Sequence, residues 1–218
     1  MTHSPERIDR LQQQWWNLLG PFGSAPSAIY AAFDELAVRY AEPHRHYHTL
    51  DHIAEMLRLL PRLTPAGVDP FPIALAVWFH DAVYDPKAGD NEARSADLSA
   101  TVSARLGVPV DAVSFTEELI RSTDHRVPVA KDARLGFAIL HDADLAILGS
   151  APARYDRYAA DIRREYAWVP ELDYRIGRSR VLQAFLDRPR LFLTSLLSEE
   201  GEAHARENLT RELNVLGY

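Results

Sequence analysis

Ile73-Ala74-Leu75-Ala76-Val77-Trp78-Phe79-His80-Asp81 is an apolar run that ends on an imidazole and a carboxylate. Seven successive apolar residues leave no polar face, so a helix built from them is buried on all sides and central to its fold. A carboxylate behind such a run is costly to bury without a partner. A cation supplies one; a hydrogen-bonded core histidine with Asp81 as a cap is the structural alternative. The dipeptide alone has little weight. With 9 His and 17 Asp in 218 residues, chance gives about 0.7 His-Asp pairs, and the chain holds two, His80-Asp81 and His141-Asp142. Order and context must therefore carry the reading.

Outward from this run the pattern is helical almost throughout. Ser4-Pro5-Glu6 has the N-cap, first-turn proline and early acid of a helix start, and that helix runs to Gly20. Further 3.6-residue periodicity predicts helices at Ser27–Tyr40, Thr49–Leu60, Ile73–Ala82, Asn91–Leu106 and Val110–Thr123. It continues at Lys131–Leu140 with a turn to Leu148, at Pro152–Trp168 and at Glu171–Leu186, with one or two helices between Pro189 and Leu216. Pro61 to Pro72 reads as a proline-rich break, and Gly107, Gly149 and Gly217 fall where C-caps belong. No alternating run is bounded by hairpin turns, and no repeat or linker stands out. The expectation is one all-α domain spanning residues 1–218, a compact multi-helix bundle.

Composition narrows the chemistry. The formal charge of −7 argues against a broad nucleic-acid surface, although small phosphorylated substrates stay open where a metal and a few arginines reverse the field locally. There are no cysteines, so disulfides, thiolate zinc sites and cysteine nucleophiles are excluded, and any metal must be held by His and carboxylate. The N-terminal stretch MTHSPERIDRLQQQWW lacks the layout of a signal peptide, and no apolar stretch approaches membrane-spanning length. A cytoplasmic protein with no membrane partner is the expectation.

Candidate ligands surround the central run. His48 and His52, four apart, would share one face of a helix. Asp144 follows the apolar residues before it within His141-Asp142-Ala143-Asp144, where Asp142 competes for any role. His125 stands at a helix end as a candidate second-metal ligand or phosphate contact, and Glu92 is a candidate to hold a metal-bound water. His44 and His46 read as solvated connector histidines. Arg45, Arg121, Arg126, Arg163, Arg164 and Arg178 are candidate phosphate clamps, because guanidinium offers a bidentate fork. Tyr84, Tyr166, Trp168 and Tyr174 form an aromatic set able to stack on a base, although helical aromatics are usually core.

The ordered set His52, His80-Asp81, Asp144 resembles the HD superfamily of metal-dependent phosphohydrolases, whose pattern is H…HD…D on an all-helical fold. Tyr47-His48-Thr49-Leu50-Asp51-His52 is similar to the YHNxxH element of its cyclic-nucleotide phosphodiesterase branch, and Leu140-His141-Asp142-Ala143-Asp144-Leu145 to that branch's VHCADL. RHYHTLDHI, WFHDAVYDP, DNEARSA, HDADLAILG and IRREYAWVP…YRIGRSRVLQAFLDRPRLF resemble a group of small bacterial HD phosphohydrolases. This resemblance implies a metal core at about residues 44–148, with helices over 152–216 completing the pocket. It implies His52, His80, Asp81 and Asp144 as ligands of one or two divalent metal ions, Asp144 rather than Asp142, with Asp81 the residue able to bridge two. His48 would be the proton donor to the leaving oxygen, with hydroxide on the metal as nucleophile. Arg164, Tyr166 and Arg178 would reach the substrate, a small phosphomonoester or phosphodiester such as a nucleotide. Two rival readings are an HD-fold di-iron oxygenase, which needs more histidines, and a ligand-sensing HD domain without turnover, which the intact ligand set and His48 argue against.

Overall fold

In the computed structural model, which describes residues 5–124, 134–195, 197 and 199–217, the apolar run forms a helix from Phe71 to Phe79. It is the fourth of ten α-helices among the described residues: α1 (Pro5–Leu19), α2 (Pro26–Tyr40), α3 (Leu50–Leu63), α4 (Phe71–Phe79), α5 (Asn91–Arg105), α6 (Val110–Arg121), α7 (Leu135–Leu145), α8 (Pro152–Glu165), α9 (Glu171–Leu186) and α10 (Glu199–Leu216). Short 3-10 turns follow α1 at Gly20–Phe22 and α7 at Ala146–Gly149. The described residues contain no strand, and the all-α expectation is met. No described helix is long and apolar enough to cross a membrane.

Burial of α4 follows from its sequence. Every residue from Leu75 to Phe79 is buried, and the helix packs against α1, α3, α5, α6 and α7. Trp78 is met edge-on by Trp15 of α1 at 5.3 Å and by Phe33 of α2 at 6.1 Å. Fully burying each such side chain contributes about 1.5–3 kcal/mol, which makes this helix the anchor of the N-terminal core.

A second apolar cluster gathers Tyr155, Leu182 and Leu209 from the C-terminal helices with Leu148 and Phe192 from the segments that join them. Tyr47 belongs to this cluster, whereas its neighbour Leu50 belongs to the first, so the His-rich connector runs along the seam between them. Polar contacts close that seam. Arg154 of α8 forms a bidentate pair with Glu55 of α3 at 2.7 and 3.2 Å. Asp142 of α7 accepts from Leu193 N at 2.7 Å, Thr194 N at 2.8 Å and Thr194 Oγ1 at 2.6 Å.

Several boundaries differ from expectation. The proline-rich break is shorter, because Pro61 lies inside the last turn of α3 and Pro72 inside the first turn of α4. A first-turn proline gives up an N–H that has no helical partner anyway, so Pro72 starts the helix rather than preventing it. Lys131, the expected start of α7, lies outside the described residues, as does Ser4 at the head of α1. Gly107 and Gly217 adopt φ of 75° and 86° as C-caps should, but Gly149 is not left-handed. A Cβ on Gly149 would stand 2.7 Å from the carbonyl oxygen of Gly201, so this glycine serves a close approach of α10.

Candidate metal centre

Four carbonyls at and beyond the end of α4 decide where His80 and Asp81 point. A helix C-terminus leaves carbonyls without intrahelical partners. Here the Tyr40 hydroxyl donates to Trp78 O at 3.0 Å and His80 Nδ1–H to Val77 O at 2.9 Å. Buried Arg45 donates to Asp81 O at 2.6 Å and to Ala82 O at 3.2 Å, and also to His48 O at 3.2 Å. One guanidinium therefore ties the His-rich connector to the His80-Asp81 turn. With Nδ1–H committed to the backbone, His80 turns Nε2 inward as a lone-pair donor.

Three elements meet at that nitrogen. His52, in the first turn of α3 behind the Thr49 cap, brings Nε2 to 3.2 Å from His80 Nε2. Asp144, at the end of α7, brings Oδ1 to 3.1 Å from His52 Nε2 and 3.7 Å from His80 Nε2. Asp81 Oδ2 lies 3.1 Å from the same His80 nitrogen. Metal–N and metal–O bonds of about 2.0–2.2 Å place neighbouring ligand atoms about 3.0–3.5 Å apart, so this spacing fits one common divalent ion. The two nitrogens and two carboxylates suit a hard-to-borderline metal, and His52, His80, Asp81 and Asp144 form a group able to hold one.

Charge within the group is balanced. Burial works to lower the His80 pKa, but the Asp81 and Asp144 carboxylates outweigh it and hold it well above the usual imidazole range. Burial works to raise Asp81, and the His80 and His48 imidazoles more than offset it, keeping the carboxylate ionised far below its ordinary value. A proton and a cation thus compete for one place among the same atoms.

His48 stands beside this group by a route the helical spacing did not foresee. It precedes the Thr49 cap and lies outside α3, with its ring 6.1 Å from that of His52 at 83°, so the shared-face expectation fails. Its position comes from Glu165, the last residue of α8. One oxygen of this carboxylate accepts three successive backbone N–H groups, from His46, Tyr47 and His48, at 2.7, 2.8 and 3.0 Å. Such a concave run of amides is an anion nest. The other oxygen accepts from His48 Nδ1 at 2.6 Å and from the Tyr84 hydroxyl at 2.8 Å. Burial opposes ionisation of Glu165, yet the His48 contact and the backbone N–H groups hold it well below the usual carboxylate range. In return Glu165, followed by Asp81, raises the His48 pKa against the opposing effect of burial.

Other expected residues go elsewhere. Asp142 is fully buried on the Leu193–Thr194 backbone and hydroxyl, which leaves the role at the centre to Asp144. His44 reaches the Tyr84 carbonyl at 2.7 Å, and His46 contributes its backbone N–H to the nest. Arg178 is spent on Glu212, with two contacts of 2.7 and 3.0 Å, and Arg45 on carbonyls. Arg163 holds the Tyr166 and Val169 carbonyls and Glu171, and Arg121 pairs with Asp97. Arg164 is about half exposed and pairs with Asp161 at 3.1 Å. Tyr166 packs between Trp168 and Tyr174, with centroids 6.4 Å away on each side. Glu92 lies half-buried in the first turn of α5. His125 and Arg126 lie outside the described residues. Two surface recesses of about 440 and 580 Å³ flank the opposite end of α4, against Pro109 and Ala112, and neither is lined by a ligand of this group.

No protein-family model, curated protein or solved structure matches the chain.

Sequence reasoning overlooked Glu165, although a signal was present. Tyr155, Tyr158, Ile162 and Glu165 follow one helical stripe of α8, and all four are buried. A carboxylate on an apolar stripe has a partner waiting for it.

Proposed function

We propose that this chain is a metal-dependent phosphohydrolase of the HD type, acting on small phosphomonoesters or phosphodiesters, nucleotides among them. The observation that carries the reading is the meeting of His52, His80, Asp81 and Asp144 at one point, beside a histidine clamped by a buried carboxylate. A divalent cation held there supplies Lewis acidity toward a phosphoryl oxygen and lowers the pKa of water. The protein supplies the rest. Asp81 stays ionised as a ligand, and the backbone bond of His80 Nδ1 fixes its tautomer.

His48 fits the part of general acid. Its Nδ1–H is committed to Glu165, so the proton free to leave is the one on Nε2, which makes no hydrogen bond among the described residues. The raised pKa favours the protonated imidazole, the form that can give a proton to a leaving oxygen. Arg45, Arg121, Arg163, Arg164 and Arg178 are engaged with acids and carbonyls, so among the described residues phosphate charge falls chiefly to the cation.

The test is a panel of phosphate mono- and diesters with Mn²⁺, Mg²⁺, Co²⁺ or Ni²⁺. Asp81→Ala is expected to lose both bound metal and turnover. His48→Ala should retain metal and lose about 10²–10⁴-fold in rate, most for esters with poor leaving groups. Equal loss across leaving groups would remove His48 as the acid, and full activity in Asp81→Ala would remove the reading altogether.

A further inference from the structure

Arg188, just beyond the end of α9, is half-buried, and its guanidinium is held from two sides. Its Cζ lies 4.5 Å over the Phe185 ring, and its Nη1 donates to His141 Nε2 at 3.3 Å. The backbone around it is fixed as well. Arg206 donates to Leu186 O at 3.0 Å and to Arg188 O at 2.8 Å, and the carboxylates of Glu202 and Asp142 accept the four successive amides of Leu191 to Thr194.

His141 decides where this cation stands. Around the axis of α7, Asp142 lies about 100° to one side of His141 and Asp144 about 60° to the other. Asp142 turns to Thr194 and accepts from His141 Nδ1 at 3.2 Å. Asp144 turns to His52 and His80. Residues three apart on a helix are neighbours, with Cβ atoms about 5–6 Å apart, so His141 carries Arg188 to the flank of the metal group. A carboxylate only accepts and a guanidinium only donates, which leaves His141 with Nδ1–H and an Nε2 lone pair. Such a lone pair aims a guanidinium without cancelling its charge, in contrast to Glu212 on Arg178 and Glu55 on Arg154. Burial lowers the Arg188 pKa, as for a cation drawn partly out of water. A mere tie between α9 and α7 needs only a neutral donor. A planar cationic fork can serve the imidazole and an anion at once.

We infer that Arg188 is a specificity-determining residue of the proposed site: beside the cation held by His52, His80, Asp81 and Asp144, its guanidinium binds the phosphoryl group and favours a terminal phosphate over a diester. The inference rests on the metal-centre reading and narrows its substrates to phosphomonoesters. A terminal phosphate is close to a dianion near neutrality, whereas a diester carries one charge, so a second fixed cation acts more strongly on the first. The metal ion takes the larger share of that charge and Arg188 the rest.

The test uses inert anions. Wild type, Arg188→Gln and Arg188→Lys are loaded with Mn²⁺, assayed for metal content and titrated by calorimetry with inorganic phosphate and with dimethyl phosphate, at about pH 8. All three should hold the same amount of metal. Glutamine keeps a donor for His141 and removes the charge. R188Q should therefore bind phosphate about ten- to a hundredfold more weakly, as for loss of a charge-assisted hydrogen bond, with a smaller loss for dimethyl phosphate. R188K, which restores the charge, should recover part of the affinity. Equal phosphate affinity in wild type and R188Q, equal losses for the two anions, or no recovery in R188K overturns the inference. So does loss of metal from R188Q, which would make Arg188 a structural tie. A metal-loaded wild type that binds no phosphate overturns it and leaves the metal centre standing. A wild type that takes up no metal refutes the metal-centre reading itself.

Discussion

Glu165 governs the geometry around His48. Its carboxylate collects three amides, a phenol and an imidazole, and no other described side chain joins the connector to α8 so directly. The pair has a defined pH window. His48, whose pKa is raised on folding, contributes stability fully below the unfolded imidazole value near 6.5 and loses it as pH rises through the folded one. Glu165, whose pKa is lowered, contributes above the unfolded value near 4.5 and loses it as pH falls toward the folded one. The ion pair is therefore complete between these two values. Glu165→Gln should lower the His48 pKa toward the ordinary imidazole range, because burial is then opposed only by the Asp81 and Asp144 carboxylates, and cost about 1–3 kcal/mol of stability. NMR titration of His48 reads this, and an unmoved pKa would show that Glu165 does not control it. At this scale His52, His80, Asp81 and Asp144 were legible as a possible metal-binding group, from their residue types and their order along the chain. Glu165 left a single mark, a carboxylate on the apolar stripe of α8, because the anion nest that it fills is made of backbone amides and leaves none. The partner of Arg178 was not legible either: Glu212 comes from α10, and a lone arginine in a sequence does not show which acid it meets.

Helices were legible from periodicity, and their ends were not. The end of α4 is set by Tyr40 and Arg45, which arrive from α2 and the connector to satisfy carbonyls. Such caps belong to the tertiary structure, so the expected extension to Ala82 fell short at Phe79. Gly149 makes the same point. It ends the 3-10 turn where a C-cap was expected, yet its lack of a side chain serves the backbone of α10. That contact has a measurable consequence. Gly149→Ala would press a methyl onto the Gly201 carbonyl, forcing α10 outward and disturbing the Asn208 bonds to Leu148 O and Ser150 O. Overpacking of this kind costs about 1–3 kcal/mol, read by urea unfolding. A change within about 0.5 kcal/mol, the size of an ordinary surface substitution, would mean that α10 yields freely.

Across the whole molecule, two apolar clusters meet along a seam, and the candidate centre lies on it. The N-terminal cluster carries His52, His80 and Asp81 on α3 and the end of α4. The C-terminal helices supply Glu165, while α7, with its Asp142 pin to Thr194, supplies Asp144. The overall negative charge and the commitment of Arg45, Arg121, Arg163, Arg164 and Arg178 leave a cation as the chief source of positive charge for an anionic substrate among the described residues. Because His80 binds its proton more tightly than an ordinary imidazole, cation uptake must displace that proton and strengthen as pH rises. Metal content of the purified protein, measured by mass spectrometry after dialysis against Mn²⁺ or Zn²⁺ at pH 5.5 and pH 8, tests the centre most directly. Wild type should hold at least about one equivalent at the higher pH and clearly less at the lower, with Asp81→Ala holding none at either. A wild type without metal, or an Asp81→Ala variant with the full complement, would contradict it.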